Sequence, residues 1–321
     1  MQIYRIKSGD QMPRFSGTAA ALGRFDALHR GHMIIIGKAI EYAKRNGLKS
    51  LVYMFENEPD EIVSGKCVKS VNTVSRRLEI LENAGADIAV VQRFDKGIMN
   101  MSRDDFIDKY IKEAFNAKFV AVGFNYRFGK MALGNAEYLC ERCREFGAEV
   151  FVADGVSDNI GIISSTRIRE LIADGRVDAA AELMGRYFSV EGNIVKGSHI
   201  GSDRLGFPTA NIVFPQDCAV PGDGVYITAA HIDSAVYPAI TNVGGKPTVS
   251  ESERLIETHI CANLGELYDK KICIEFCGFI RRIKKFKSLD ELANQLKKDR
   301  ALSEKFFSDE YKRLVTRGNN K

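Results

Sequence analysis

Between residues 15 and 185 short apolar runs alternate with helical patterns, and after Gly185 that alternation stops. Strands are expected at 19–23, 48–55, 86–91, 118–123 and 148–152, with helices at 32–45, 74–83, 103–115 and 136–146 between them. Strands that alternate with helices build βαβ units and hence a mostly parallel sheet. Gly47, Gly85 and Gly147 stand where helix C-termini take a left-handed residue. Past Gly185 six β-branched runs, 188–196, 209–214, 224–232, 236–241, 255–262 and 271–279, lie between Gly, Pro, Asn and Asp punctuation. Such closely spaced strands predict a small antiparallel barrel, and 289–315 returns to helix. At 321 residues the chain also exceeds what one hydrophobic core serves. The expected architecture is a Rossmann-like α/β domain over residues 1–185, followed by a β-barrel domain with terminal helices over 186–321.

The 45% apolar and 27% charged fractions exclude a disordered or fibrous chain. No apolar run approaches the about 20 residues of a membrane span. Residues 1–20 carry Lys7, Asp10 and Arg14 without an apolar core, so no signal peptide is expected and the cytoplasm is. Seven cysteines without framework spacing read as reduced thiols. Cys140 and Cys143 are expected on a helix rather than at zinc, and Cys273 and Cys277 in sheet packing. Net charge is +4, yet residues 281–321 hold 13 Lys/Arg against 6 Asp/Glu. The acids interleave at helical spacing, so a solvated helix face is expected and nucleic-acid binding ranks last. Small molecules are the expected partners, with no membrane and a monomer or weak homo-oligomer.

Gly23-Arg24-Phe25-Asp26-Ala27-Leu28-His29-Arg30-Gly31-His32 joins the first of these strands to a helix. In an open parallel sheet ligands sit past the carboxyl ends of strands. A helix N-terminus there offers N–H groups and partial positive charge to a phosphate, and Gly31 permits close approach. Two imidazoles can donate to a leaving pyrophosphate as its charge grows. Either histidine alone reads as a surface or capping residue; their joint spacing favours a site. Asn125 follows the strand at 118–123 and projects from the same sheet edge. Ser164-Ser165-Thr166-Arg167-Ile168-Arg169 opens a helix with hydroxyls that cap it with or without a ligand, and Arg169 makes a phosphate clamp plausible.

These segments resemble the nucleotidyltransferase half of bacterial bifunctional riboflavin kinase/FMN adenylyltransferases (FAD synthetases). The resemblance implies that His29 and His32 contact ATP phosphates as catalytic groups. It places Gly23, Phe25, Asp26 and Gly31 in the same nucleotide site, and Asn125 at the ATP–flavin junction. Ser165, Thr166 and Arg169 would hold phosphate groups. Two departures stand out. Ala27 replaces a usual glycine, and a usual Phe-x-Pro-x-Pro reads Phe55-Glu56-Asn57-Glu58-Pro59.

In the barrel half, a glycine-spaced loop containing Gly201 and Gly206 precedes Pro208-Thr209-Ala210-Asn211. Thr209 and Asn211 share one strand face, and a hydroxyl and an amide oxygen suit Mg²⁺ carrying a nucleotide phosphate. No Lys-Ser/Thr follows the glycines, so this is not a Walker loop. Glu257 and His259 alternate on one side of a strand, where a carboxylate could take a proton from an attacking hydroxyl; an exposed structural glutamate is the even alternative.

This half resembles a riboflavin kinase. Gly206-Phe207-Pro208-Thr209-Ala210-Asn211, Pro221–Tyr226, Asn242-Val243-Gly244, Lys246-Pro247-Thr248, Glu257, Leu267-Tyr268 and the basic 281–287 stretch recur in family order, with Asp269 replacing a usual glycine. The resemblance implies that Gly201, Gly206, Pro208, Thr209 and Asn211 bind Mg-ATP, the last two as Mg²⁺ ligands. Glu257 would be the base for the ribityl hydroxyl. The implied function is phosphorylation of riboflavin to FMN, then adenylylation of FMN to FAD with ATP as co-substrate. The alternative is a riboflavin kinase whose first domain is a weakened or regulatory flavin-nucleotide module. A different small-molecule nucleotidyltransferase stands behind both.

Overall fold

The computed structural model describes residues 1–65, 67–195, 209–213, 217–244, 255–262, 264, 267 and 270–311. The chain divides into two compact units, Met1–Ser165 and Thr166–Lys321.

In the first unit, β1 (Gln2–Ile6), β2 (Thr18–Leu22), β3 (Lys49–Phe55), β4 (Ile88–Gln92), β5 (Ala117–Gly123) and β8 (Glu149–Ala153) form one sheet. Its order is β1-β4-β3-β2-β5-β8, and every neighbouring pair is parallel. The connections hold α1 (Arg30–Asn46), α2 (Pro59–Ser64), α3 (Val74–Asn83), α4 (Lys96–Asn100), α5 (Arg103–Asp105) and α6 (Ala136–Glu145). π-type turns over Phe106–Ala114 continue α5, and the short strands β6 (Arg127–Phe128) and β7 (Gly134–Asn135) pair as a small hairpin. Alternate strand residues enter two cores. Ala20, Leu22, Leu51, Tyr53, Val90, Val120 and Val122 pack with Phe106, Ile107 and Ile111. Ala19, Ala21, Val52, Met54 and Val91 pack with Ile36 and Ala39 of α1 and Leu81 of α3. A sheet covered on both faces is why these strands read as unbroken apolar runs.

All five expected strands form here. β1 is additional: its polar–apolar alternation is that of an edge strand, with Ile6 buried, Tyr4 half-buried and Gln2, Ile3 and Arg5 exposed. Gly47, Gly85 and Gly147 take φ of 64°, 86° and 78°, as the stop signals require.

The second unit contains α7 (Ser165–Ala173, starting at the last residue of the first unit) and α8 (Val177–Met184). Then come β9 (Phe188–Val195), β10 (Thr209–Val213), β11 (Gly224–Ile232), β12 (Ala235–Gly244), β13 (Leu255–Ile260), β14 (Lys271–Arg281) and α9 (Leu289–Phe306). The six strands close an antiparallel barrel in the order β10-β13-β12-β11-β14-β9, as expected. Its interior holds Phe188, Tyr226 and Phe276 and a chain of buried hydroxyls, Thr228–Thr241 at 2.8 Å and Thr241–Thr258 at 2.9 Å. Outside, α9 is fastened by the fully buried Asp299, which accepts from Arg281 Nη2 at 2.8 Å and Gln295 Nε2 at 2.8 Å. Cys277 is the extra residue of a β-bulge in β14, and its thiol packs under Phe307 and Tyr311.

Candidate active sites

The sheet reverses its strand order between β2 and β5: the chain moves from β2 through β3 to β4 on one side, then crosses to β5 and β8 on the other. Loops leaving the carboxyl ends of β2 and β5 therefore flank the crevice where such sheets bind ligands. The β2 loop is tightly wound. Gly23 must lack a side chain, because a Cβ there would lie 2.8 Å from the Phe25 ring. Phe25 and Leu28 hold left-handed φ of 49° and 46° although both are fully buried. Each such conformation costs about 1–3 kcal/mol, so the surrounding structure must over-determine it.

The loop ends at His29, the N-cap of α1, whose Nδ1 accepts a long bond from the His32 N–H at 3.4 Å. The two imidazoles stack with centroids 3.7 Å apart and 19° between planes, and Phe25 packs edge-on against His32 at 5.3 Å. Gly31 completes the close approach: a Cβ there would sit 3.2 Å from His29 Cε1. Thus both histidines gather at the mouth of a 17-residue helix whose first turn carries no acid. Partial positive charge and N–H groups converge where a phosphate would be held.

Among the other expected site residues, Asn125 lies exposed just past β5, its Oδ1 3.3 Å from where a Gly123 Cβ would be. Ser165 Oγ accepts from the Ala27 N–H at 3.4 Å, which brings it to the histidine loop. Phe25 and Asp26 are buried supports of that loop; Asp26 Oδ1 accepts from the Val71 N–H at 2.7 Å. Thr166 is exposed and Arg169 half-buried on α7, in the second unit.

On the barrel, register brings together residues that are 46 apart in the chain. Asn211 of β10 pairs with Glu257 of β13, and Glu257 pairs on its other side with Asn242 of β12. Directly paired residues present their side chains on one face, with Cβ atoms about 4.5–5.5 Å apart. That face is the outer wall, because the alternate residues Ala210, Ile212, Ile256 and Thr258 fill the interior with Thr241. Glu257 is half-buried between two amides, one of them the buried Asn211. Thr209 pairs with His259 two places along the same ladder. Gly201, Gly206, Pro208, Lys246-Pro247-Thr248, Tyr268 and Asp269 lie outside the described residues.

The cysteines supply no nucleophile among the described groups that titrate abnormally. Burial pushes the Cys143 thiol up to about 12 and the Cys261 thiol up to about 11, and raises Cys277 as well. Cys140 and Cys143 lie on α6, as expected, and no group of three or more His, Cys, Asp or Glu fit to hold a metal occurs among the described residues.

Comparison with known proteins follows the same division. The FAD synthetase family model matches residues 11–167, and the riboflavin kinase model matches residues 184–307. Relatives described as bifunctional riboflavin kinase/FMN adenylyltransferase include that of Listeria monocytogenes, 31% identical over 90% of this chain and 92% of the relative. The chain belongs to the bifunctional riboflavin kinase/FMN adenylyltransferase family. The members from Haemophilus influenzae and Escherichia coli K12 are 30% and 29% identical, covering 91% and 96% of this chain and 95% and 98% of theirs. A crystal structure described as a macrolide-efflux protein from Streptococcus pneumoniae superposes with a TM-score of 0.85 at 29% identity, over 95% of this chain and 99% of that one. No helix among the described residues of this chain is long and apolar enough to cross a membrane.

As a member of this family, the chain accommodates its departures from the family pattern locally. The left-handed residues of the β2 loop are Phe25 and Leu28, not Ala27, so a methyl at position 27 meets no backbone strain. Asn57 stands where the family has proline and clamps the neighbouring strand end: its Nδ2 donates to Phe94 O at 3.1 Å and its Oδ1 accepts from Phe94 N–H at 2.9 Å. Pro59 opens α2 at a position that needs no N–H. Sequence reasoning missed Asn72 and Arg77, buried polar side chains that bond the histidine loop's carbonyls. Their signal was faint: a charged residue on the apolar face of a predicted helix.

Proposed function

We propose that this chain converts riboflavin to FAD in two ATP-dependent steps, with residues 186–321 making FMN and residues 1–185 adenylylating it. What carries the reading is that each unit has its own phosphate-handling constellation. One is the stacked His29–His32 pair capping α1 at the switch point; the other is Glu257 flanked by asparagines on the barrel wall.

In the kinase step, Glu257 accepts the proton of the ribityl hydroxyl as its oxygen attacks the γ-phosphorus, and ADP leaves. Asn211 and Thr209 would hold Mg²⁺. The donor set fits that ion, since amide and hydroxyl oxygens are hard ligands and Mg²⁺ keeps water and substrate phosphates as its other ligands. When bound, Mg²⁺ would neutralise charge on the ATP phosphates. In the second step an FMN phosphate oxygen attacks the α-phosphorus of ATP and pyrophosphate leaves. The N-terminus of α1, His29 and His32 meet the charge that grows on that pyrophosphate. Asn125 sits at the junction of the two substrates, and Ser165, held at the histidine loop, takes a phosphate oxygen. Neither step needs a covalent enzyme intermediate.

Two observations support an active first unit over a weakened or regulatory module: Ala27 is not left-handed, and Asn57 supplies a strand-end clamp of its own. For the basic C-terminal segment, the ion pairs Arg281–Asp299 and Arg300–Glu304 support a helix whose charges are paired within the chain rather than offered to nucleic acid. The test is product analysis by chromatography after incubating the chain with riboflavin, ATP and Mg²⁺. FMN followed by FAD is expected, and chelation of Mg²⁺ should stop both. FMN without FAD, even with FMN supplied and enzyme in excess, would instead make the first unit a binding module.

A further inference from the structure

The histidine loop does not hold its own shape. Phe25 and Leu28 are left-handed, which large L-residues rarely adopt, and both are buried. Beside the Ser165 Oγ that accepts from the Ala27 N–H, bonds from one short segment, residues 71–77, restrain this turn. Val71 N–H donates to Asp26 Oδ1 at 2.7 Å, and Asn72 Nδ2 donates to Asp26 O at 2.9 Å. Arg77 then ties three carbonyls together: Nη1 donates to Phe55 O at 2.8 Å and to Arg24 O at 3.4 Å, and Nη2 donates to Glu56 O at 3.0 Å. Asn72 and Arg77 are each only 3% exposed, so neither faces a ligand in solvent. Thr73 caps α3 between them by accepting from the Arg76 N–H at 3.1 Å, which fixes the helix that carries Arg77.

We infer that Asn72 and Arg77 are positioning residues for adenylyl transfer: they lock the strained 24–28 turn to the end of β3 and so hold the His29–His32 stack in place. Arg24 and Asp26 bracket Phe25, whose ring packs edge-on against His32, and the carbonyls of both are held. Release of either lets the turn relax toward ordinary φ, which carries Phe25 away and leaves the imidazoles without a fixed mutual orientation. A pair of groups that must meet a leaving group loses effect steeply with small displacements.

The inference rests on the adenylylation reading above, and the experiment separates the two. Full-length wild type, Asn72→Ala, Arg77→Met and Arg77→Lys are assayed for FAD formation from FMN and ATP and for riboflavin phosphorylation. The imidazole proton signals of the five histidines are recorded by NMR in parallel. In Asn72→Ala and Arg77→Met, kcat for FAD formation should fall about 10- to 100-fold with KM for FMN within about twofold. Riboflavin phosphorylation should persist, and two histidine signals should lose their ring-current shifts. Arg77→Lys, which keeps a donor and the charge, should recover part of the rate and of the shifts. Wild-type kcat with unmoved signals would overturn the inference, as would equal losses in both activities. If wild type formed no FAD, the functional reading would fall, while the histidine signals would still decide whether the brace exists. Should Arg77→Met not fold, Asn72→Ala and Arg77→Lys carry the test.

Discussion

Gly31→Ala separates stability from catalysis at the first site. A Cβ built at Gly31 lies 3.2 Å from His29 Cε1, 3.3 Å from its Nδ1 and 3.7 Å from a Val156 methyl, so the ring must yield by a few tenths of an ångström. That displacement breaks a cap bond already long at 3.4 Å, costing about 0.5 kcal/mol at the weak end of the capping range. Alanine in place of glycine in the first turn of α1 returns about 0.5 kcal/mol in backbone entropy. The two offset, and Tm should stay within about 2 °C of wild type. Catalysis has no such compensation. If a displacement of about 1 Å costs about 100-fold, a third of that costs about fivefold in FAD formation. The assay is FAD release from FMN and ATP beside riboflavin phosphorylation by the same preparation, which should not change. FAD formation within experimental error of wild type would refute the claim that the ring's position matters. A matching loss of kinase activity would refute the division of labour.

The remaining expectations concern both units. Glu257→Gln should lower riboflavin phosphorylation by about 100-fold or more and spare FAD formation from supplied FMN, whereas His32→Ala should do the reverse; rate measurements on the two half-reactions check both. Thr241→Val keeps the shape of the barrel interior but strips the central hydroxyl of the Thr228–Thr241–Thr258 chain, and should destabilise the second unit by about 2 kcal/mol in urea unfolding. Asp95 has burial pushing its carboxyl up, outweighed by hydrogen bonds from the Ser8 side chain and the Ile98, Ser8 and Gly97 N–H groups, so its pKa ends below the usual carboxylate value. Its contribution is therefore whole above about pH 4 and lost as pH falls through the lowered value. Asp95→Asn should melt below wild type at pH 7, and the gap should close in acid.

Much of this was legible in the chain itself. The histidine pair was readable because strand, loop and helix are contiguous, and local sequence carries a helix N-terminus with its cap. The stop glycines were readable for the same reason: left-handed φ is a property of one residue. β1 was less visible because its pairing with β4 joins residues 86 apart. Its own pattern offers only a half-solvated alternation, which is weak evidence over five residues.

By itself the sequence determined the two architectures, the element types and the residue kinds that can handle phosphate, since periodicity and loop chemistry are local. Only the tertiary structure decided that Glu257 stands between Asn211 and Asn242 on the outside of the barrel, because register follows from which alternate face the barrel can bury. It alone decided that Phe25 and Asp26 support the histidines from within, and that Asn72 and Arg77 grip the loop from another crossover. Strain in one loop is balanced by bonds from residues distant in the chain, and no window of sequence contains both.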